Sequence, residues 1–142
     1  MILLVHAAAT LAMFGVILMV QWVHYPLFRH VGAADYSVYQ AEHMRRITWI
    51  VGPLMSIELG TAVALAWAPP AGVPPWQAGV GLGLVVLIWG TTGFVQVPLH
   101  AALTEGFDPA AHRRLVRTNW IRTLAWALRA GLVLWMLGRA TG

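Results

Sequence analysis

A few polar side chains in this sequence stand where their chemistry is costly, within long apolar runs. Glu58 lies nine residues after Trp49, and Arg129 lies nine residues after Trp120. At ~1.5 Å per residue both charges fall roughly 13 Å beyond a tryptophan, near the middle of a hydrocarbon core about 30 Å thick. An isolated charge there costs at least ~2.5–3.5 kcal/mol on insertion scales, so two opposite charges at one depth are expected to compensate each other. The planar fork of arginine suits this, because it can hold a carboxylate at two points. A protonated, neutral Glu58 is the alternative. An apolar contact would hold the helices equally well, so stability alone is a weak reason for such a pair.

Arg122 lies seven residues before Arg129, on the same helical stripe, with Asn119 close by. This stripe could meet an anionic or carbonyl-bearing small molecule. Snorkelling of Arg122 to the interface is the plainer alternative. Glu58, Arg122, Arg129 and Asn119 are the candidate catalytic residues.

Histidines recur near one end of every apolar run: His24, His43, His100 and His112. Thr92, Gln96 and His100 form an i, i+4, i+8 stripe, and polar stripes in a membrane bundle are expected to face inward. His24, His43 and His100 are the candidate cofactor ligands. Histidines from separate helices can bind haem iron, and three or four can bind copper, iron or zinc. The spacing does not single out a metal. No HxxxH or ExxH pair occurs within one run, and the di-iron pattern of repeated Glu plus ExxH is absent. A bundle without any cofactor stays equally open.

The elements that must position these residues follow from composition. Of the 142 residues, 59% are hydrophobic and 10% charged, against about 25% charged in a soluble domain. Four runs are long enough to cross a bilayer. They cover about 2–28, 47–67 with a helical lead-in from 36, 76–100, and 119–137 with a lead-in from 109. The expectation is one all-α domain, an integral membrane four-helix bundle. The first run is longer than a signal-peptide core and has no preceding arginine, so it reads as a retained helix.

Asp35 and Asp108, the latter before Pro109, are placed to cap the second and fourth helices. Pro53, inside the second, could open space beside Glu58 by kinking it. The glycines of the third run, Gly79, Gly81, Gly83, Gly90 and Gly93, suit close packing within the bundle or in a homo-oligomer.

Cysteine and lysine are both absent, which excludes disulfides, thiolate sites and Schiff-base chemistry. Arg29, Arg45, Arg46, Arg113, Arg114 and Arg117 flank two connections, and only Arg139 flanks the opposite side. Such clustering beside apolar spans points to membrane topology, not to nucleic acid. The positive-inside rule puts the two arginine-rich connections in the cytoplasm and both termini outside, in a cell inner (plasma) membrane. The two halves also overlay weakly, Thr48-Trp49-Ile50 on Asn119-Trp120-Ile121 and Gly60 on Gly131. Two parallel two-helix repeats are one reading of this.

Val97-Pro98-Leu99-His100 and Asn119-Trp120-Ile121-Arg122-Thr123 give the second half a resemblance to the small four-helix membrane proteins grouped with the anthrone oxygenases. That group shows a V-P-L-N element ending the third helix and an N-x-x-R-T element opening the fourth. The resemblance runs from about Gln96 to Gly131, and His100 departs from the usual Asn. It implies a bundle acting on a hydrophobic aromatic or quinone-like compound, with Asn119, Arg122 and His100 at the site. Three readings therefore stand: a redox-type membrane enzyme, a non-catalytic subunit or ligand- or haem-binding bundle, and an oligomeric proton-coupled transporter.

Overall fold

The four apolar runs are four helices, and each is longer than its apolar part. The computed structural model describes residues 1–141. Helix α1 spans Ile2–His30, α2 Tyr36–Trp67, α3 Pro75–Thr104 and α4 Pro109–Thr141, with no strand among the described residues. All four are long and apolar enough to cross a membrane. The polar lead-ins of α2 and α4 continue the spanning helices without a break. The expected caps divide. Asp108 accepts the Ala110 N–H at 2.7 Å, whereas Asp35 makes no side-chain cap bond.

Connections are short, so neighbouring helices run antiparallel. Helix α1 packs on α2 and α4, and α3 also packs on α2 and α4, which leaves α1/α3 and α2/α4 as the diagonals of a square. The proline-rich turn between α2 and α3 folds back over the end of α4. There Gly72 adopts φ +80°, and a Cβ would run into the Arg139 carbonyl oxygen. Glycine is the residue that takes this conformation without strain.

Apolar side chains fill the bundle in two clusters. Leu3, Ala7, Leu65, Val133 and Met136 pack near the turn end. Met13, Ile17, Met55, Ile88 and Trp126 belong to a larger cluster that continues to Phe28, Tyr36, Leu103 and Leu115 at the arginine-rich end. Outward faces carry exposed Trp22 and Trp49 towards one end and Trp67, Trp76 and Trp135 towards the other, as expected where indole rings sit at two membrane interfaces. Gly79, Gly83 and Gly93 also face outward, and Gly81 alone of that series is buried.

Helix α1 ends in a 3-10 turn at Phe28–His30, and two further departures from regular α-helix precede prolines. Val20–His24 in α1 and Thr92–Gln96 in α3 wind as π-helix, each ending two residues before Pro26 or Pro98. Proline has no N–H and crowds the carbonyl four residues earlier. The wider turn absorbs this, with the Tyr25 N–H reaching Val20 O and the Val97 N–H reaching Thr92 O. The two segments occupy matching places in the two halves. Pro53, by contrast, lies in unbroken α-helix. The space expected beside Glu58 is filled by side chains, and the irregular backbone lies elsewhere.

Candidate functional site

Two polar layers cross the apolar interior, one centred on Glu58 and the other on Arg122. In the first, Glu58 and Arg129 face each other along the α2/α4 diagonal, 1% and 2% exposed. Arg129 Nε donates to Glu58 Oε1 at 2.9 Å. The same oxygen accepts from the Thr10 hydroxyl at 2.8 Å, and Oε2 accepts from Trp126 Nε1 at 3.0 Å. The rest of the guanidinium is also engaged: Nη1 donates to the Gly81 carbonyl, and Nη2 reaches His6 Nε2 at 3.2 Å and Thr10 Oγ1 at 3.4 Å. His6 Nδ1 meets Thr61 Oγ1 at 2.7 Å. All four helices contribute, and both carboxylate oxygens and every guanidinium nitrogen have partners. Such a network holds helices in register and leaves no free group for a substrate.

The second layer is built differently. Arg122 is buried, 6% exposed, yet no carboxylate among the described residues pairs with it. Its Nη1 donates to Asn119 Oδ1 at 3.2 Å, and its Nε has no partner. The guanidinium carbon lies 5.3 Å from the centre of the Trp126 ring, a cation–π contact. Asn119 is held by Gln21, whose Oε1 accepts the Asn119 amide at 2.8 Å. Gln21 sits in the π-helical turn of α1, and Gln96, in that of α3, donates to Thr118 at 2.9 Å. Wide turns of this kind concentrate at functional sites.

Arg122 faces a cavity of about 250 Å³ between α1, α2 and α3. Met13, Val16, Ile17, Met55 and Trp89 give it apolar walls, while Tyr25, His43, Gln96 and His100 add polar groups. His100 bridges Gln40 Nε2, 2.8 Å from Nδ1, and the Tyr25 hydroxyl, 2.8 Å from Nε2. With the Gln40 amide donating to Nδ1, neutral His100 carries its proton on Nε2, next to the phenol. His24 Nε2 and His43 Nδ1 are 2.8 Å apart.

The candidate residues thus divide. Arg122, Asn119, His43 and His100 belong to the cavity layer. Glu58 and Arg129 form a separate layer and do not line the cavity. His24, His43 and His100 do converge, with ring centres of His43 and His100 5.8 Å apart. As a haem or metal centre the donor set fits poorly, because both His100 nitrogens are engaged and His24 bonds His43. No group of three His or acidic residues among the described residues is arranged to hold a metal ion.

Sequence reasoning passed over Tyr25, Thr10 and Trp126. Trp126 had a signal: with Arg122 and Arg129 it completes an i, i+4, i+7 stripe, and it contacts both layers. Thr10 and Tyr25 had none, since a lone hydroxyl in an apolar run is ordinary. No family model matches the chain, and neither a curated protein nor a solved structure matches it.

Proposed function

We propose that this membrane bundle binds an aromatic or quinone-like compound through an acidic or carbonyl oxygen held by Arg122, and acts on it as a small membrane enzyme. One observation carries the reading: a buried guanidinium with an unpartnered Nε faces a cavity and lacks a carboxylate partner. A buried charge without its partner is costly, by several kcal/mol. A bound oxyanion or polarised carbonyl at the cavity face of the guanidinium would supply the missing negative charge. The proposed likeness to the anthrone oxygenase group agrees with this, because Asn119, Arg122 and His100 meet in the same layer.

The chemistry such a site supports is stabilisation of an enolate or phenolate by Arg122, as electrostatic catalysis requires. Proton exchange falls to Tyr25 and His100, which bond each other and line the same cavity, with Gln40 fixing the His100 tautomer. Glu58 and Arg129, read as an ion pair within the bilayer, order the fold. The arginine-rich connections face the cytoplasm in this reading, and both termini face outward in the cell inner membrane.

Binding is tested by titrating the detergent-purified protein with 2-hydroxy-1,4-naphthoquinone and following tryptophan emission, since Trp89 lines the cavity. Saturable quenching is expected, weakened about 10- to 100-fold by Arg122→Gln, the range for a charged hydrogen bond worth ~1.5–3 kcal/mol. Equal quenching of the variant, or none in the native protein, overturns the proposal.

A further inference from the structure

A ligand for Arg122 must first reach it, and the ends of the bundle do not provide a way in. At the arginine-rich end Phe28, Tyr36, Leu103 and Leu115 are each 0% exposed and close the interior across all four helices. Towards the opposite end the cavity meets Met13, Ile17 and Met55, beyond which lies the closed Glu58–Arg129 network. On the α1/α2 side, Val16, Val20, His43 and Ile47 form a wall that faces the cavity on one side and an outer groove on the other.

The α2/α3 side is different. Thr48 on α2 and Trp89 and Val97 on α3 line the cavity and are also exposed, Trp89 by 39% and Val97 by 50%. Thr48 neighbours Trp49, and Val97 follows Gln96, which bonds Thr118 close to Trp120, so both lie at the level of the interfacial indoles. Trp89 lies about two turns deeper along α3, and the mouth that they frame opens sideways from the headgroup boundary into the lipid-facing side of the bundle. We infer that the ligand of Arg122 is a membrane-dissolved amphiphile that enters from the bilayer between α2 and α3, its polar ring going in first. This rests on the Arg122 reading and adds the source and shape of the ligand.

Size supports the orientation. A cavity of about 150 Å³ holds one benzene ring, so about 250 Å³ takes a one- or two-ring head. Anything longer must extend out through the mouth. An apolar tail does so without cost where the outside is hydrocarbon. Arg122 on α4 and Tyr25 on α1, the helices that do not frame the mouth, line the cavity for the oxygens.

The test uses proteoliposomes and two probes, 2-hydroxy-1,4-naphthoquinone and the same ring bearing a 3-undecyl chain. Stopped-flow tryptophan quenching is recorded while the lipid concentration is varied at constant total probe. Lateral access predicts that the association rate of the undecyl probe follows its mole fraction in the bilayer. It also predicts that filling the mouth with Thr48→Phe/Val97→Phe slows association about tenfold or more, at exposed positions where folding is not at stake. A rate that follows aqueous concentration, or a double variant as fast as the native protein, overturns the route. Those outcomes leave the Arg122 site standing if Arg122→Gln still weakens equilibrium binding. Failure of both probes to bind the native protein overturns the route and the site together.

Discussion

Glu58 and Arg129 occupy opposite corners of the helix square and still meet at 2.9 Å, with Thr10 and Trp126 completing the carboxylate's bonds. Removing either charge strands the other in an apolar interior. Glu58→Ala and Arg129→Ala are each expected to cost about 3–5 kcal/mol, the range for a broken buried pair. Glu58→Leu combined with Arg129→Met should cost clearly less than the sum of the single changes, read from unfolding in mixed micelles. A double variant as damaged as that sum would show that the two side chains do not act on each other.

Arg122 should behave in the opposite way. Its guanidinium bonds Asn119 and meets the Tyr25 hydroxyl, both neutral groups, and its Nε has no partner. Arg122→Gln removes a buried charge that no carboxylate among the described residues pairs with, and is expected to leave the thermal midpoint unchanged or raised, while ligand binding is weakened. That pattern is common where a site keeps a destabilising group for function. A large drop in midpoint would instead make Arg122 a structural residue.

Gln21 acts on the site through Asn119, so it is a positioning residue. Gln21→Leu leaves the Asn119 amide without its acceptor, at a cost of about 1–3 kcal/mol for a buried unsatisfied group. The readout particular to positioning is affinity: Kd for the hydroxynaphthoquinone should rise, with Gln21→Glu restoring part of it through a retained acceptor. Unchanged affinity in Gln21→Leu would separate the two residues.

The histidine cluster gives a spectroscopic prediction. With both His100 nitrogens bonded and His24 on His43, the purified protein is expected to show no Soret band and less than one equivalent of copper or iron. The check is an absorption spectrum with metal analysis, including a reconstitution control. A Soret band, or stoichiometric metal that His100→Ala removes, would return haem or metal to the centre of the account.

Much of the bundle was legible because lipid imposes a simple rule. Apolar length gave the spans, and the paired spacing from Trp49 and Trp120 put Glu58 and Arg129 at one depth, where they touch. The site was half legible. Arg122, Asn119, His43 and His100 could be picked out as polar residues in apolar runs, but spacing alone did not say which layer each would join. Tertiary packing decided that, and two π-helical turns changed the local rotation of α1 and α3. Each inserts a wider turn before a proline, so periodic positions before and after it no longer share a face.

The most direct test of the central claim is to locate a bound ligand. A photoreactive azido derivative of 2-hydroxy-1,4-naphthoquinone would be crosslinked to the native protein in proteoliposomes, and the labelled residues identified by mass spectrometry. The account predicts labelling at cavity residues such as Met13, Met55 and Trp89, suppressed by excess unlabelled ring and by Arg122→Gln. Labelling confined to the outer groove around Met19 and Ile50, or unaffected by Arg122→Gln, would contradict it.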